Sequence, residues 1–368
     1  MVYRTLGKTG MELSTLGFGA MRLPMITGAD GKKVVDDDQA IEMIHAAFDH
    51  GVNYIDTAPY YLENLSERTV GLAVKGYRDK VYVSTKNPIE SNSGADYLER
   101  LERSLKNLDM DYIDVYHMWG ISLDAFRNSI NVKDGPMEAA LRAKEEGLIK
   151  HIAFSFHDKP ENMKEIIDSG YFESVLMQYN LLDRANEQNI DYAYEKGLGV
   201  IIMGPVAGGR LGAPSPVIQG MLSGKASSTA ELALRFVLAN PHVTVALSGM
   251  QSLDMVKENL AVASIEGHLT EDEKETINKM VEEKKELAKL YCTGCNYCMP
   301  CPKGLDIPKI FSLMNYHKIY DITAYAKEEY KALEKNATAC VECKSCQKKC
   351  PQKLAIIKQL KETHQALA

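Results

Sequence analysis

All eight cysteines of this 368-residue chain lie between Cys292 and Cys350, and the residues before Cys292 contain none. They form two runs, Cys292–Cys301 and Cys340–Cys350, and in each run the spacing C-x2-C-x2-C leads to a fourth cysteine followed by proline. Three thiolates at this spacing can surround one small inorganic centre, while the proline turns the chain away. The C-terminal segment is therefore expected to fold around such centres.

The second run has the full pattern C-x2-C-x2-C-x3-C-P of bacterial iron–sulfur proteins, and the last gap of the first run is one residue shorter. In that pattern the fourth cysteine of one run binds the cluster of the other run. The sequence predicts two 4Fe–4S clusters with no cysteine left over. The predicted ligands are Cys292, Cys295, Cys298 and Cys350 for one cluster and Cys340, Cys343, Cys346 and Cys301 for the other.

Three other uses of cysteine fit this pattern less well. A tetrahedral zinc site has no place for a third cysteine at the same spacing. A disulfide framework is typical of small secreted domains, and a redox-active C-x-x-C pair would not require eight cysteines.

The overall composition argues against two further classes of function. The net charge of −7 is unfavourable for binding nucleic acid, which requires a basic face. No apolar run approaches the length of about 18 residues that a membrane-spanning helix needs. The N-terminus shows no apolar core of a signal peptide, and thiolates that hold iron require a reducing compartment, so we expect a cytoplasmic protein.

Eight short apolar runs alternate with amphipathic segments of helical length, such as Asp38–His50 and Gly94–Leu108. Nearly continuous apolar strands indicate a parallel sheet that is buried on both faces. The strands are expected at Thr15–Gly19, Asn53–Ala58, Lys80–Thr85, Tyr112–His117, His151–Phe156, Ser174–Tyr179, Gly199–Met203 and Val243–Ser248.

Eight such units predict a (β/α)8 TIM barrel over residues 1–285, followed by a small, mainly helical ferredoxin-like domain over 286–368. An open, doubly wound sheet is the alternative architecture. It would be expected to carry a glycine-rich phosphate turn after the first strand, but Gly17 and Gly19 supply only two glycines of that pattern and precede a loop.

Polar residues occur at or just after the predicted ends of several strands, where such barrels place their active sites. Asp56 and Tyr61 follow strand two, Lys86 follows strand three, His117 ends strand four, and Gln178 lies near the end of strand six. An ammonium beside a tyrosine stabilises its phenolate, so a Lys, Asp and Tyr together favour general acid–base chemistry.

At these residues the chain resembles the aldo-keto reductase family, in the branch with a C-terminal ferredoxin-like domain. The resemblance covers about residues 2 to 262. It rests on the strand-two segment Asn53–Tyr61, the lysine strand Val81–Lys86, Phe154-Ser155, Gln178-Tyr-Asn180, and the segment from Ala246 to Asn259.

The resemblance implies that Tyr61 donates a proton to a substrate carbonyl while NADH or NADPH delivers hydride, and that Lys86 and Asp56 tune the tyrosine. It implies that Ser155 and Gln178 hold the nicotinamide carboxamide and that Asn259 contacts the adenine end of the dinucleotide. Arg210, in the glycine-rich loop after strand seven, is a candidate for binding the pyrophosphate, although an exposed arginine without such a role is equally consistent with the sequence.

This chain departs from the family at three places. The family's catalytic histidine corresponds to Trp119 in ungapped register, and His117 lies two residues earlier on the same strand face. His117 either substitutes for it through a bulge or is a buried structural residue. The second departure is Phe156, at a position where the family often has asparagine. The third is the lack of a cation for a 2′-phosphate, since the corresponding positions are Gly249, Met250 and Met255.

The sequence thus predicts an oxidoreductase with a small carbonyl or alcohol substrate, and two hypotheses compete with it. In one, the barrel has lost its activity and serves as a redox scaffold. In the other, the clusters are purely structural. Hydride transfer moves two electrons whereas each cluster moves one, so an external ferredoxin or flavoprotein is a candidate partner. A run of lysines that includes Lys344, Lys348 and Lys349 offers a basic surface for an acidic carrier.

Overall fold

The computed structural model describes residues 1–28, 31–212, 214–222, 226–289, 298–350 and 353–368, without the side chains of residues 210, 222 and 284–289. These residues form two compact units. One comprises residues 1–207 and 233–268, and the other comprises residues 208–232 and 269–368.

The first unit is a closed barrel of eight parallel strands, which confirms the fold class predicted from the sequence. Each strand pairs with the strands that precede and follow it in the chain, and the eighth pairs with the first. The strands are β1 (Leu16–Gly19), β2 (Tyr54–Asp56), β3 (Tyr82–Pro88), β4 (Ile113–Ile121), β5 (Ile149–Phe156), β6 (Ser174–Gln178), β7 (Gly199–Met203) and β8 (Val245–Ser248).

Helices follow the strands as in other barrels of this class. Several begin at a side-chain cap, such as Asp36 and Ser93, each of which accepts a hydrogen bond from the third amide beyond it. The helices of this unit are α1 (Asp37–Asp49), α2 (Ser66–Val74), α3 (Gly94–Leu108), α4 (Pro136–Glu145), α5 (Met163–Asp168), α6 (Glu187–Glu195), α7 (Thr229–Leu238), which begins in the other unit, and α8 (Leu253–Ala263).

Two antiparallel hairpins precede the first helix. The hairpin at the N-terminus pairs Tyr3–Thr5 with Glu12–Ser14. A second hairpin, Met25–Thr27 with Lys33–Val35, was not expected from the sequence. Its strands have only three residues each, too few for an alternating pattern to be recognised.

Side chains along each strand point alternately into and out of the barrel, and the inward ones fill it. Apolar side chains at one set of alternate positions form a single buried cluster with Leu6, Met11 and Leu13 of the first hairpin. Two residues further along three of these strands, the same inward face carries Asp56, Ser155 and Gln178. The inward positions therefore change from apolar to polar towards the C-terminal ends of the strands. The apolar members on the strands are Tyr54, Val115, Ala153, Leu176, Ile201, Val245 and Leu247.

The second unit is helical and contains the cysteines that the structure describes. Its helices are α9 (Glu271–Lys289), α10 (Ile307–Tyr320), α11 (Thr323–Lys331), α12 (Ser345–Lys349) and α13 (Ile356–Leu367), with short turns at Pro216–Gln219 and Ala337–Ala339. The core of this unit is formed by apolar side chains of α10 and α13, together with Tyr330. No helix in the described ranges is both long and apolar enough to span a bilayer.

The two compact units do not meet at the boundary that the sequence predicts between residues 285 and 286. Helix α9 runs continuously through that boundary, and the segment 208–232 after β7 groups with the cysteine-bearing unit. Within that unit the Ser215 hydroxyl donates a hydrogen bond to the Tyr320 carbonyl. The domain limits 1–285 and 286–368 remain a prediction.

The close approach of α2 and α3 depends on Gly71. A methyl group there would lie 2.7 Å from the carbonyl carbon of Leu108. We expect Gly71→Ala to lower the free energy of unfolding by about 1–3 kcal/mol, because the helices must separate to accommodate it. Urea unfolding followed by circular dichroism measures the change.

Gly220→Ala is the matched control, because Gly220 has a φ of −64° and, among the described residues other than its chain neighbours, no atom lies within 4 Å of the added methyl group. It should leave stability unchanged or raise it slightly. Equal stability of the two variants would contradict this account of the α2–α3 contact.

Candidate active site and cysteine centre

A buried ion pair joins β2 and β3 inside the barrel. The Lys86 ammonium donates to Asp56 Oδ2 at 2.6 Å and to the Thr57 carbonyl at 2.7 Å. Ser84, which faces Asp56 in the strand register, donates to the other carboxylate oxygen at 2.7 Å. The side chains of Lys86 and Asp56 are 2% and 5% exposed.

The electrostatics of this pair keep the lysine charged. Burial alone would lower the pKa of Lys86, but Asp56 and, to a smaller extent, Tyr61 favour the ammonium, and the net effect is a raised pKa. Lys86 therefore carries a permanent positive charge inside the barrel at neutral pH.

Tyr61 lies next to this charge. The Lys86 nitrogen is 4.9 Å from the centroid of the Tyr61 ring. The chain after Tyr61 reverses through three consecutive residues with positive φ, 62–64, and the amides of Leu65 and Ser66 donate to the Tyr61 carbonyl. The turn fixes the backbone that carries the phenol, and Tyr61 lies beside the ion pair of Asp56 and Lys86.

His117 and Trp119 occupy different environments. The predicted end of strand four at His117 is wrong, because β4 continues to Ile121 and its irregularity lies after Met118. His117 stays in regular register opposite Lys86, is fully buried, and has no hydrogen-bond partner among the described residues at either ring nitrogen. The bulge therefore does not bring His117 to the position of the family's histidine.

Burial, with an added contribution from Lys86, lowers the pKa of His117 to about 4, and the nearby Asp56 only partly opposes this effect. His117 is neutral at neutral pH. It fits the structural alternative better than a catalytic role.

Trp119 stands beside the tyrosine instead. Its ring contacts Tyr61 edge to face at 5.8 Å between centroids and lies 5.6 Å from the Tyr60 ring. The Tyr60 hydroxyl donates to Glu90 at 2.6 Å, and Arg100 binds the other oxygen of that carboxylate at 3.1 Å. Trp119 and Tyr60 thus form an aromatic surface next to Tyr61, and the two adjacent aromatic residues after β2 are a signal for it in the sequence.

The residues predicted to hold a nicotinamide lie on neighbouring strands, and several already have protein partners. The buried Ser155 hydroxyl accepts a hydrogen bond from the Gly120 amide at 2.7 Å, which leaves its own proton available for donation. Gln178 lies against Gly204, where a Cβ atom would be only 2.7 Å from the Gln178 amide oxygen. Gly204 also has a φ of 64°, a left-handed conformation that favours glycine.

The other predicted cofactor residues are less closely tied to such a site. Asn259 donates to the Ser248 hydroxyl at 2.9 Å, a bond that joins α8 to β8. Phe156 is buried and packs against the ring of Phe154. The Arg210 side chain lies outside the described residues, and its backbone belongs to the second unit.

In the second unit, four cysteines from both runs line one cavity. This cavity is small and partly open to solvent. Burial is the main cause of the raised pKa of the Cys346 thiol. The neighbouring Cys340 and Cys343 raise this pKa further. The four cysteines are Cys301, Cys340, Cys343 and Cys346, the set that the sequence predicts for one cluster.

The loop that carries three of these cysteines is wound tightly. Glu342 and Lys344 have φ values of 55° and 64°, so the backbone alternates into the left-handed region on both sides of Cys343. Such alternation turns backbone N–H groups towards a common concavity, as in many iron–sulfur sites. Within the described ranges no three metal-binding side chains converge on the position of a single ion. The four thiols share their position on the wall of one cavity.

The second predicted cluster is described only in part. Cys298 and Cys350 both pack at the core of the second unit. Cys292 and Cys295 lie outside the described residues.

In comparisons with known proteins, one family model matches the part of the chain that contains the barrel strands, and another matches the part that contains the cysteines. A model of the aldo/keto reductase family matches residues 15–282, and a model of the 4Fe-4S dicluster domain matches residues 291–361. The chain is similar to aldo-keto reductase AKR11C1 from Bacillus halodurans, with 30% identity and a TM-score of 0.64 over 76% of this chain and 96% of that one.

Two relatives are named for the reactions that they catalyse. L-galactose dehydrogenase of Arabidopsis thaliana is 30% identical over 71% of this chain and 88% of its own length. Pyridoxine 4-dehydrogenase of Escherichia coli is 25% identical over 74% of this chain and 96% of its own length.

The environment of His117 predicts a specific loss of stability in acid. The pKa is about 4 in the folded protein, against an ordinary value of 6.5. Between these values the unfolded chain binds more protons, so stability falls as the pH drops from about 6.5 towards 4. The full effect is on the order of 3 kcal/mol. His117→Leu should remove this part of the acid dependence, measured by urea unfolding across that range.

His50→Leu, at an exposed histidine that ends α1, controls for the loss of an imidazole and should retain the parental dependence. An unchanged slope in His117→Leu would show that the buried ring is not the source.

Proposed function

The chain belongs to the aldo/keto reductase family, and we propose that it transfers hydride between a nicotinamide dinucleotide and a small carbonyl or alcohol compound at Tyr61. The observation that carries the proposal is the contact of Tyr61 with a buried, permanently charged Lys86 that is itself bound to Asp56. A positive charge at that position stabilises the phenolate that remains after the tyrosine gives up its proton.

In the direction of reduction, the Tyr61 hydroxyl donates its proton to the carbonyl oxygen. The ammonium of Lys86 stabilises the resulting phenolate, and Asp56 together with the Thr57 carbonyl holds the ammonium in place. In the direction of oxidation, the phenolate accepts the alcohol proton. Proton transfer by a positioned side chain of this kind contributes about 10²- to 10⁴-fold to the rate.

A nicotinamide, when bound, supplies or accepts the hydride. Ser155 has a hydroxyl proton to donate to a carboxamide oxygen, and Gln178 has a partly exposed amide on the neighbouring strand. These groups fit a carboxamide. Gly249, Met250 and Met255 provide no cation for a 2′-phosphate, so NADH and NADPH must be compared directly.

The substrate is a small molecule whose ring or hydroxylated face packs against aromatic side chains. Trp119 and Tyr60 present such a surface beside Tyr61. The curated relatives named above are dehydrogenases of L-galactose and pyridoxine, both of which are small compounds with several oxygen groups. Trp119 has a single donor, the indole N–H, so Tyr61 is the proton donor of the site.

The second unit is proposed to hold two 4Fe–4S clusters that exchange single electrons with an external carrier. The cavity of Cys301, Cys340, Cys343 and Cys346 supports one of them. The other would use Cys292, Cys295, Cys298 and Cys350.

A scaffold without reductase activity is the second candidate function. It is favoured by Trp119 at the position of the family's catalytic histidine, since a tryptophan cannot replace the histidine as an acid. This candidate predicts that neither dinucleotide binds.

Tyr61→Phe should lower kcat by at least about 10²-fold, because the only change is the loss of the transferable proton. Turnover is measured as consumption of NADH or NADPH with 4-nitrobenzaldehyde as the probe substrate, and iron content should remain at the parental value. Tyr194→Phe, at an exposed tyrosine of α6, is the matched control and should keep kcat within a few-fold. A fully active Tyr61→Phe variant would overturn the assignment, and a parent protein that binds neither dinucleotide would establish the scaffold function.

Iron analysis tests the two-cluster arrangement. Two 4Fe–4S clusters correspond to about eight iron and eight sulfide per chain. Cys340→Ala/Cys343→Ala should lose about half of both. Adding Cys301→Ala to this variant should cause no further loss, because that thiol is proposed to serve the same cluster, whereas adding Cys350→Ala should remove the remainder. The reverse pattern would contradict the crossed arrangement.

A further inference from the structure

The cavity of the four cysteines opens at one exposed edge. Cys343 is exposed, and the neighbouring Val341 has 57% of its surface exposed, which is unusual for an apolar side chain. Both residues line the cavity. A cluster held there would be separated from solvent at this edge by one thiolate and one isopropyl group, which is a short path for an electron.

The charge around this edge is strongly positive. Residues 340–361 contain six lysines and a single acidic residue, Glu342, whose carboxylate is bound by Lys361 at 2.6 Å. Lys303 and Lys344 lie on the wall of the same cavity. Lys348 lies one helical turn beyond Lys344, because its amide donates to the Lys344 carbonyl.

This local charge is opposite to that of the chain as a whole, whose net charge is −7. A solvated helix face would also carry lysines, but it would not require an exposed valine or a thiol at its centre. An apolar contact surrounded by charges of one sign is typical of transient complexes, in which electrostatic attraction accelerates encounter and the buried area stays small.

We propose that the surface formed by Val341, Cys343, Lys303, Lys344, Lys348 and Lys349 is the docking site for a small acidic protein that carries one electron. This inference rests on the proposed cluster of Cys301, Cys340, Cys343 and Cys346. One electron passes from the reduced carrier to the oxidised cluster, so the carrier loses one electron and the cluster gains one, with no bond made or broken.

The test uses the full-length, iron-loaded protein and a chemically reduced acidic 2Fe–2S ferredoxin as the probe. Bleaching of the cluster absorbance is followed by stopped flow at low and high ionic strength. Lys348→Glu/Lys349→Glu should lower the second-order rate constant about tenfold at low ionic strength. The difference should disappear at high salt, where charges are screened over a few ångströms.

The matched control is Lys33→Glu/Lys80→Glu, at exposed lysines of the barrel unit. Each Lys→Glu change subtracts two charges, so both double variants change the net charge from −7 to −11. The control should keep the parental rate within about twofold. Lys348→Gln/Lys349→Gln should have an intermediate effect, and reduction by dithionite, a small molecule, should depend little on which pair is changed.

The outcomes separate this proposal from the proposed function. Equal rates for the two charge-reversal variants, with parental iron in both, would overturn the docking surface and leave the cluster assignment standing. A parent protein without iron would overturn the cluster assignment and this proposal together. A slow rate confined to Lys348→Glu/Lys349→Glu, at parental iron content and only at low salt, would support the docking surface.

Discussion

The buried ion pair between Lys86 and Asp56 is the interaction on which the candidate active site depends. Moving two charges out of water is costly unless good geometry and further hydrogen bonds compensate. Here the Ser84 hydroxyl and the Thr57 carbonyl supply those bonds. All four groups come from two adjacent strands or from the residue that follows one of them. The register of β2 against β3 therefore creates the charged centre, and a slip of one residue would turn it out of the barrel.

The charge of Lys86 also defines the roles that its neighbours can take. It adds to the effect of burial in keeping His117 neutral, and it contributes to the lowered pKa of His157, for which burial is the main cause. It stabilises the anionic form of a phenol placed above it. A site with one permanent cation, one tyrosine and an aromatic surface is suited to moving a proton at a single oxygen atom.

Much of the fold could be predicted from the sequence. The eight apolar runs, the helical periodicity between them and the cysteine spacing correspond to the observed barrel and to the family models. The approach of Asp56 and Lys86 could also be predicted, because strand alternation places inward residues of adjacent strands together. Tyr61 lies beyond β2, and its position depends on the turn that follows it. The match of Cys301 with the second cysteine run follows from the spacing pattern alone.

The features that the sequence did not reveal depend on contacts distant in the chain. The extension of β4 to Ile121 arises from its pairing with β5, and it removes His117 from the strand end. The grouping of residues 208–232 with the second unit rests on contacts such as that of Ser215 with Tyr320, about a hundred residues apart in the chain. No local pattern signals such contacts, since polar loop residues look alike whatever they bind.

In the proposed function, the two units carry out two kinds of redox chemistry. The barrel site is suited to hydride transfer, which moves two electrons, and the cysteine site is suited to single electrons. If each site has its own partner, no residue of the described chain has to conduct electrons from one site to the other. On this account the dinucleotide reacts with a small molecule at Tyr61, while an acidic carrier reacts at Cys343.

The most direct measurement of the central claim uses Trp119, the only tryptophan of the chain, which lies against Tyr61. Reduced nicotinamide absorbs where tryptophan emits, so its binding beside Tyr61 must quench Trp119 fluorescence. Under anaerobic conditions, titration of the iron-loaded protein with NADH or NADPH should give saturable quenching by at least one of them, and an excess of the oxidised form should reverse it. Emission that changes only in proportion to the absorbance of the added nucleotide would contradict a nicotinamide site at Tyr61.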